Sequence, residues 1–311
     1  MRIVIGGSSG FLGTALVDRL RAAGHEVVRL VRRDAGERRL SGPARVPAHD
    51  RPDEVTWRPN IEPLDPAVVD GADAAINLAG VGVGDHRWND AFRALIRASR
   101  VNSTHALSLA IAGAAAPPRV LLNASAIGFY GDTADAEVDE SAPPGDGFFP
   151  ETCQAWEAAT EPAEAAGIRV AHLRTGLVLG PGGGLLQPIA RLFRFGLGGR
   201  LGNGRQWMSW ISRADTLAAI EFLLTADEVT GAVNLTGPAP VTNREFTRTL
   251  GRVLHRPAIL PVPGFALRLV LGEFGAEAVR SQRVLPAALA AAGYRFEHND
   301  LESALRWSLH P

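Results

Sequence analysis

Arg2-Ile3-Val4-Ile5-Gly6-Gly7-Ser8-Ser9-Gly10-Phe11-Leu12-Gly13-Thr14 opens the chain with a short apolar run, a glycine turn and the start of an amphipathic segment that continues to Ala23. That order predicts a strand, a tight turn and a helix. Gly24 stands where a left-handed helix terminus is expected, and Glu26 to Val31 alternates into a second strand, completing a βαβ unit.

The same alternation continues outward. Asp73 to Leu78 reads as a buried parallel strand ending in Ala79-Gly80, followed by a long helix near Asp90 to Ala114. Pro117 and Pro118 break that helix, and Arg119 to Asn123 is the next strand, leading into Ala124-Ser125-Ala126. A helix is expected over about Glu151 to Ala166 and a further strand over Arg169 to Arg174. The fold class is therefore α/β, a Rossmann-type doubly wound parallel sheet. Beyond Gly176 the glycine-dense Gly180 to Gly184 and Gly196 to Gly199 flank a short helix. Short helices follow near Arg213–Thr225, Asn243–Leu254, Phe265–Leu271, Pro286–Ala292 and Asn299–Trp307. This divides the chain into a nucleotide-binding Rossmann domain at 1–178 and a smaller, mainly helical substrate-binding lobe at 179–311, with the chain crossing between them.

Composition narrows the partners. The 311 residues are 46% hydrophobic and 21% charged, with a formal net charge of -1, so nothing favours nucleic acid or an anionic membrane, and a small-molecule substrate is expected. No apolar run reaches the roughly 18 residues needed to span a bilayer. The single cysteine, Cys153, excludes an internal disulfide, and no charged-then-apolar leader precedes the first strand, which reads as cytoplasmic. The eight histidines show no ligand spacing, so no metal site is expected. The chain contains no lysine, all 32 of its basic residues being arginine, which excludes a Schiff base, a lysine general base and a P-loop lysine.

In Gly7-x-x-Gly10-x-x-Gly13 the first glycine permits the turn, the second lets backbone approach a pyrophosphate, and the third lets helix pack on strand. Ser9, Phe11 and Leu12 fill the intervening positions beside that ligand. Where an NAD-binding strand ends in a carboxylate for the ribose 2′-hydroxyl, this one ends in Arg32-Arg33, and a guanidinium there suits the 2′-phosphate of NADP. NADP is the expected cofactor; Asp34, one step later, keeps NAD open as the lesser alternative.

Four motifs, in order, then carry a resemblance: the glycine loop, Asn77-Leu78-Ala79-Gly80, Val101-Asn102-Ser103-Thr104, and Arg174-Thr175-Gly176-Leu177-Val178-Leu179-Gly180-Pro181. The chain resembles the extended short-chain dehydrogenase/reductase superfamily. Ala124 to Gly131 and Gly202-Asn203-Gly204-Arg205-Gln206-Trp207-Met208-Ser209-Trp210-Ile211 are similar to its atypical branch of sugar-nucleotide epimerase-like proteins. The resemblance implies that Leu78, Ala79, Gly80 and Arg100 line the cofactor and that Asn102 organises the centre of the site. It also implies that Ser125 holds a substrate carbonyl or hydroxyl. It implies, too, a tyrosine acid/base with a lysine four residues on, and here the chain departs, because that position falls near Thr152 and there is no lysine. Tyr130, five residues after Ser125, is the candidate substitute as proton donor, although an unassisted phenol near pKa 10 is a poor base at neutral pH.

Gln206, Trp207, Ser209 and Trp210 supply stacking faces and polar groups suited to a ring-shaped, sugar-like substrate. Asp215 reads as a helix cap, and Cys153 as a packed thiol. Two functions remain in view: an NADP-dependent oxidoreductase or epimerase acting on a small polar substrate, and a protein that binds NADP without turning it over, as a sensor or regulator.

Overall fold

The computed structural model describes residues 1–32, 53–258 and 280–310. Arg33, Asp34 and the helix expected at 265–271 lie outside them. Seven parallel strands form the central sheet: β1 (Arg2–Gly6), β2 (Glu26–Arg32), β3 (Glu54–Trp57), β4 (Ala74–Asn77), β5 (Val120–Ala126), β6 (Arg169–Thr175) and β7 (Gly231–Leu235). Their spatial order is β3-β2-β1-β4-β5-β6-β7. The direction of winding reverses between β1 and β4, which opens a crevice at the carboxyl ends of the strands.

Alternation within the strands distributes the core to two faces. Ile3 and Ile5 of β1 pack with Leu16 and Leu20 of α1 (Phe11–Ala22), while Val4 joins Leu107 and Ile111 of α2 (Asp90–Gly113) on the opposite side. All of these side chains are fully buried, consistent with strands covered on both faces. Buried polar bonds tie β4 to β5 and to the helices: Asn77 Nδ2 donates to Thr104 Oγ1 and Asn123 Oδ1, and Trp156 Nε1 donates to Thr104 Oγ1.

Three local expectations are corrected. The single helix expected over 151–166 is two, α3 (Phe148–Ala158) and α4 (Glu161–Ala165), because Pro162 has no backbone N–H to continue the first and instead sits in the opening turn of the second. Ser125 lies within β5 rather than beyond its end, since pairing with β6 continues through Ser125↔Arg174 and Ala126↔Thr175. The third concerns the second half of the chain, where α5 (Leu186–Arg194), α6 (Arg213–Leu223), α7 (Asn243–Val253), α8 (Ala287–Ala291) and α9 (Leu301–Leu309) were foreshadowed but β7 was not. Asn234 interrupts the apolar run of β7 and hides its strand pattern. Leu177–Leu179 pairs with Trp210–Ser212, and Val241–Thr242 with Trp207–Met208, so the lobe also carries short strands. Its core is built on Trp210, Phe246, Leu250 and Leu305.

The glycine turn is dictated by close approach. Gly7 has φ +76°, and a Cβ there would stand 2.4 Å from the Leu78 carbonyl; a Cβ on Gly13 would stand 2.2 Å from the Gly7 carbonyl oxygen. Gly10 differs, its nearest atom being Gly7 O at 3.6 Å. Gly13→Ala is therefore expected to cost about 3 kcal/mol in urea unfolding, through backbone displacement, while Gly10→Ala leaves stability nearly unchanged.

Candidate functional site

The glycine loop presents what an anion needs. Ser9 and Gly10 are exposed, α1 has no side-chain cap on its N-terminus, and its first turn holds no acidic residue. The first backbone N–H groups and the positive end of the helix dipole thus face open space across Gly10, and the residues fit a diphosphate. Beneath the loop, buried Ser8 accepts from Arg29 Nε at 3.1 Å, and Arg29 pairs with Glu54 at 2.8 Å, a support that the sequence reading did not identify. Arg32 ends β2 exposed, on the same edge of the sheet. Phe11 does not stand free: Gly183 and Gly184 pack on its ring, and the Arg213 guanidinium lies 5.0 Å from its centre. The glycine-dense loops of the second lobe thus close on the first turn of α1.

From the loop a continuous track leads along the sheet edge. Leu78 and Ala79 touch the Gly7 turn, and Gly80 lies against the Arg100 side chain. Arg100 donates to the carbonyls of Val81 and Ile96 and stacks over Trp156 at 5.1 Å. Beyond it opens a cavity of about 390 Å³ at the ends of β5 and β6. Ser125, Thr152, Arg100, Trp207, Ser209 and Gln282 contribute to its wall, together with apolar side chains. Other residues named from the sequence sit elsewhere. Trp210 is fully buried in the lobe core with its Nε1 donating to Ala239 O, because strand pairing turns it to the opposite side from Trp207. Gln206 donates to Leu201 O, and Asn102 donates to Asn60 Oδ1, so neither is on the cavity wall. Ser209 is on the wall, yet its hydroxyl is engaged with the backbone of Gln282 and Val284.

Behind Ser125 lies a buried network that sequence alone did not assemble. Ser125 donates to Glu157 Oε1 at 2.6 Å, and Arg174 donates from Nε and Nη2 to the two carboxylate oxygens, each at 2.9 Å. Arg174 Nη1 also donates to the Tyr130 hydroxyl at 3.0 Å, which in turn donates to Asn234 Oδ1 at 2.8 Å. Burial disfavours the Arg174 cation, but the carboxylate and phenol outweigh it, and its pKa is raised. Burial also pushes the Tyr130 phenol up, against the opposing effect of Arg174 and Asn234. Tyr130 is not among the residues of the cavity wall, and its hydroxyl is spent inside the network. Ser212, not Asp215, caps α6: Ser212 Oγ accepts the Asp215 backbone N–H and donates to Asp215 Oδ2, while the Asp215 carboxylate gathers the N–H groups of Glu297 and His298.

Residues 3–236 match the NAD dependent epimerase/dehydratase family, and residues 262–308 match a domain of unknown function, DUF1731. The chain is 45% identical over 307 residues to an epimerase family protein of Mycobacterium bovis, covering 98% of this chain and 97% of that one. It is similar to the crystal structure of the human epimerase family protein SDR39U1 with NADPH, at 34% identity and a TM-score of 0.86 over 99% of both chains. A nucleoside-diphosphate sugar epimerase from Corynebacterium glutamicum is similar at 34% identity and a TM-score of 0.78, covering 99% of this chain and 58% of that one.

Cys153 also borders the cavity, but burial and the neighbouring Glu157 charge push its thiol up to about 12. Near neutral pH almost none of it is thiolate, and burial together with that protonation disfavours reaction of the thiol in the folded state. An aromatic disulfide reagent at pH 8 is expected to leave the native protein unlabelled over an hour and to label one thiol per chain once guanidinium unfolds it.

Proposed function

This chain belongs to the NAD dependent epimerase/dehydratase family, and we propose that it binds NADP(H) on the Gly7 to Gly13 loop and acts as an oxidoreductase or epimerase on a small polar substrate in the cavity. The observation that carries this reading is the placement of a helix N-terminus open to a diphosphate and, past Leu78 to Gly80 and Arg100, of a cavity whose wall bears hydroxyl groups. The human relative seen with NADPH supports the choice of dinucleotide. A bound nicotinamide would supply hydride transfer. The chain's own residues do the rest: Gly10 admits the diphosphate, Arg32 meets the 2′-phosphate, and Leu78 to Gly80 with Arg100 floor the path to the cavity. Ser125 touches the substrate, and Glu157 fixes the orientation of the Ser125 hydroxyl. Trp207 provides a stacking face for a ring, its own ring backed by Arg283 at 4.3 Å.

A second reading is favoured by one observation. By the resemblance, the tyrosine–lysine pair of related enzymes falls near Thr152, where this chain supplies neither residue, and Tyr130 is committed to Asn234 and Arg174. On that ground the protein binds NADP as a redox sensor without turnover. Stopped-flow mixing of the NADPH complex with a panel of carbonyl compounds separates the two, since oxidation of the bound cofactor by any of them sinks the sensor reading.

NADPH is expected to bind at least about tenfold more tightly than NADH, because a partly exposed guanidinium paired with a phosphate contributes on the order of 1.4 kcal/mol. Arg32→Ala should remove most of that preference in calorimetric titrations, and equal affinities in the unmodified protein would refute the NADP assignment. Gly10→Val should abolish NADPH binding with an unchanged melting temperature, since Gly10 has extended φ and ψ of -79° and 179° that valine adopts freely, while its side chain would fill the phosphate's place.

A further inference from the structure

Helix α7 carries Arg244, Arg248 and Arg252 at a spacing of four, which sets three guanidinium groups on one face. Like charges so spaced repel one another, and Arg244 stands in the first turn, where the helix dipole disfavours a cation. Acids do not balance the row. Glu302 meets Arg252 at 2.7 Å but is shared with Arg306, whereas Arg244 donates to the Asn203 carbonyl and Arg256 to the carbonyls of Arg194 and His255. Arg200 and Arg248 are exposed and have no hydrogen-bond or ion-pair partner among the described residues. These cations surround a hollow. Arg200 and Arg244 both pack against Gly204, and the left-handed residue His255, at φ +53°, turns the chain after α7 so that Arg256 and Pro257 join the wall. The groove measures about 770 Å³, within the range of small-molecule sites, and no acidic residue lines it. It shares no wall residue with the cavity at the ends of β5 and β6.

We propose that this groove is a second ligand site, for a small anion of two or more linked phosphates, either free or as the tail of a nucleotide. A guanidinium offers phosphate two parallel N–H donors in a fixed fork and keeps its charge at neutral pH. Successive arginines of the row rise about 6 Å along the helix axis, so one phosphate meets two of them at most, while linked phosphates spread their charge along the row and to Arg200. Such an anion turns the repulsion within the row into attraction. The shape and lining favour a small ligand over a nucleic acid: the site is a hollow, and its wall includes no Phe, Tyr or Trp on which bases could stack.

The test is calorimetric titration of tripolyphosphate, orthophosphate, ATP and a 20-residue oligothymidylate, without magnesium and at low salt, into the full-length chain and into its Gly10→Val variant. Tripolyphosphate should bind at one site per chain, at least about tenfold more tightly than orthophosphate, and equally well to Gly10→Val, in which the glycine loop is blocked. Equal affinities for ATP and tripolyphosphate in that variant assign the site to the phosphate chain itself; tighter binding of ATP assigns it to a nucleotide. Arg200→Gln/Arg248→Gln should weaken tripolyphosphate about tenfold, since an exposed ion pair contributes up to about fivefold. Neither arginine has a protein partner to lose, so the far-ultraviolet circular dichroism should be unchanged. Should the double variant fail to fold, Arg248→Gln alone should weaken binding about threefold. The proposal is overturned by absence of tripolyphosphate binding, by affinity that survives loss of these arginines, or by oligothymidylate binding tenfold more tightly than tripolyphosphate. Binding that disappears in Gly10→Val also overturns it, by placing the anion on the glycine loop.

Discussion

A carboxylate taken out of water must be met by fixed donors, and Glu157 is met by Arg174 across the interface between α3 and β6. Removing one member of such a buried pair costs about 3–5 kcal/mol, because the other is left charged and unpaired. The pair is also the hub from which neighbouring positions are set. Through Ser125 it reaches β5, through Tyr130 it reaches the turn after β5, and through Asn234 it reaches the edge strand β7. Three strands, one helix and the polar face of the cavity thus share one electrostatic requirement. The phenyl ring of Phe129, 3.4 Å from the Arg174 guanidinium carbon, adds a cation–π face to the same cation.

The nucleotide end of the site is governed by a different constraint, that of distance between backbones. Gly7 and Gly13 are glycines because Leu78 and the Gly7 carbonyl leave no volume for a Cβ, whereas Gly10 is surrounded by space. Two of the three residues thus serve the fold and one serves the ligand, a division that the spacing alone does not reveal. The second lobe contributes to the same end, since Gly183, Gly184 and Arg213 cover Phe11. Placement of the lobe and shape of the nucleotide entrance are therefore coupled through one aromatic ring.

Local periodicity made much of the architecture legible in the sequence: the glycine loop, the long helix from Asp90 and strands β1, β2, β4, β5 and β6 all follow from apolar patterning and punctuation. What stayed hidden depends on partners distant along the chain. Gly231–Leu235 holds a polar residue at the position where a buried strand is expected to be apolar, and Asn234 makes sense only once its contacts with Tyr130, Glu140 and Leu285 are known. Glu157 looked like any helical acid, because its partner Arg174 is brought near by the β5–β6 register. Tyr130 and Trp210 were read by type rather than by direction: each sits in a stretch that borders the cavity, but each side chain turns inward. Ser125, Trp207 and Ser209 lie on the cavity wall, where the ends of parallel strands gather loops.

The route by which the sheet is completed has a cost in time. β6 pairs with β7 beginning at Ala171↔Gly231, a separation of 60 residues, and most of the second lobe's first elements lie in between. At ribosomal speeds of roughly 5–20 residues per second, that interval is about 3–12 s, during which β6 emerges as a bare edge. Its strand is short of charge at its centre, with Val170, Ala171 and Leu173 all buried in the finished protein, and an unpaired edge of that kind is a template for pairing with other chains. Truncation between the two strands would make the exposure permanent. For a nascent chain of this topology, the window between residue 175 and residue 235 is the period in which molecular chaperones matter most.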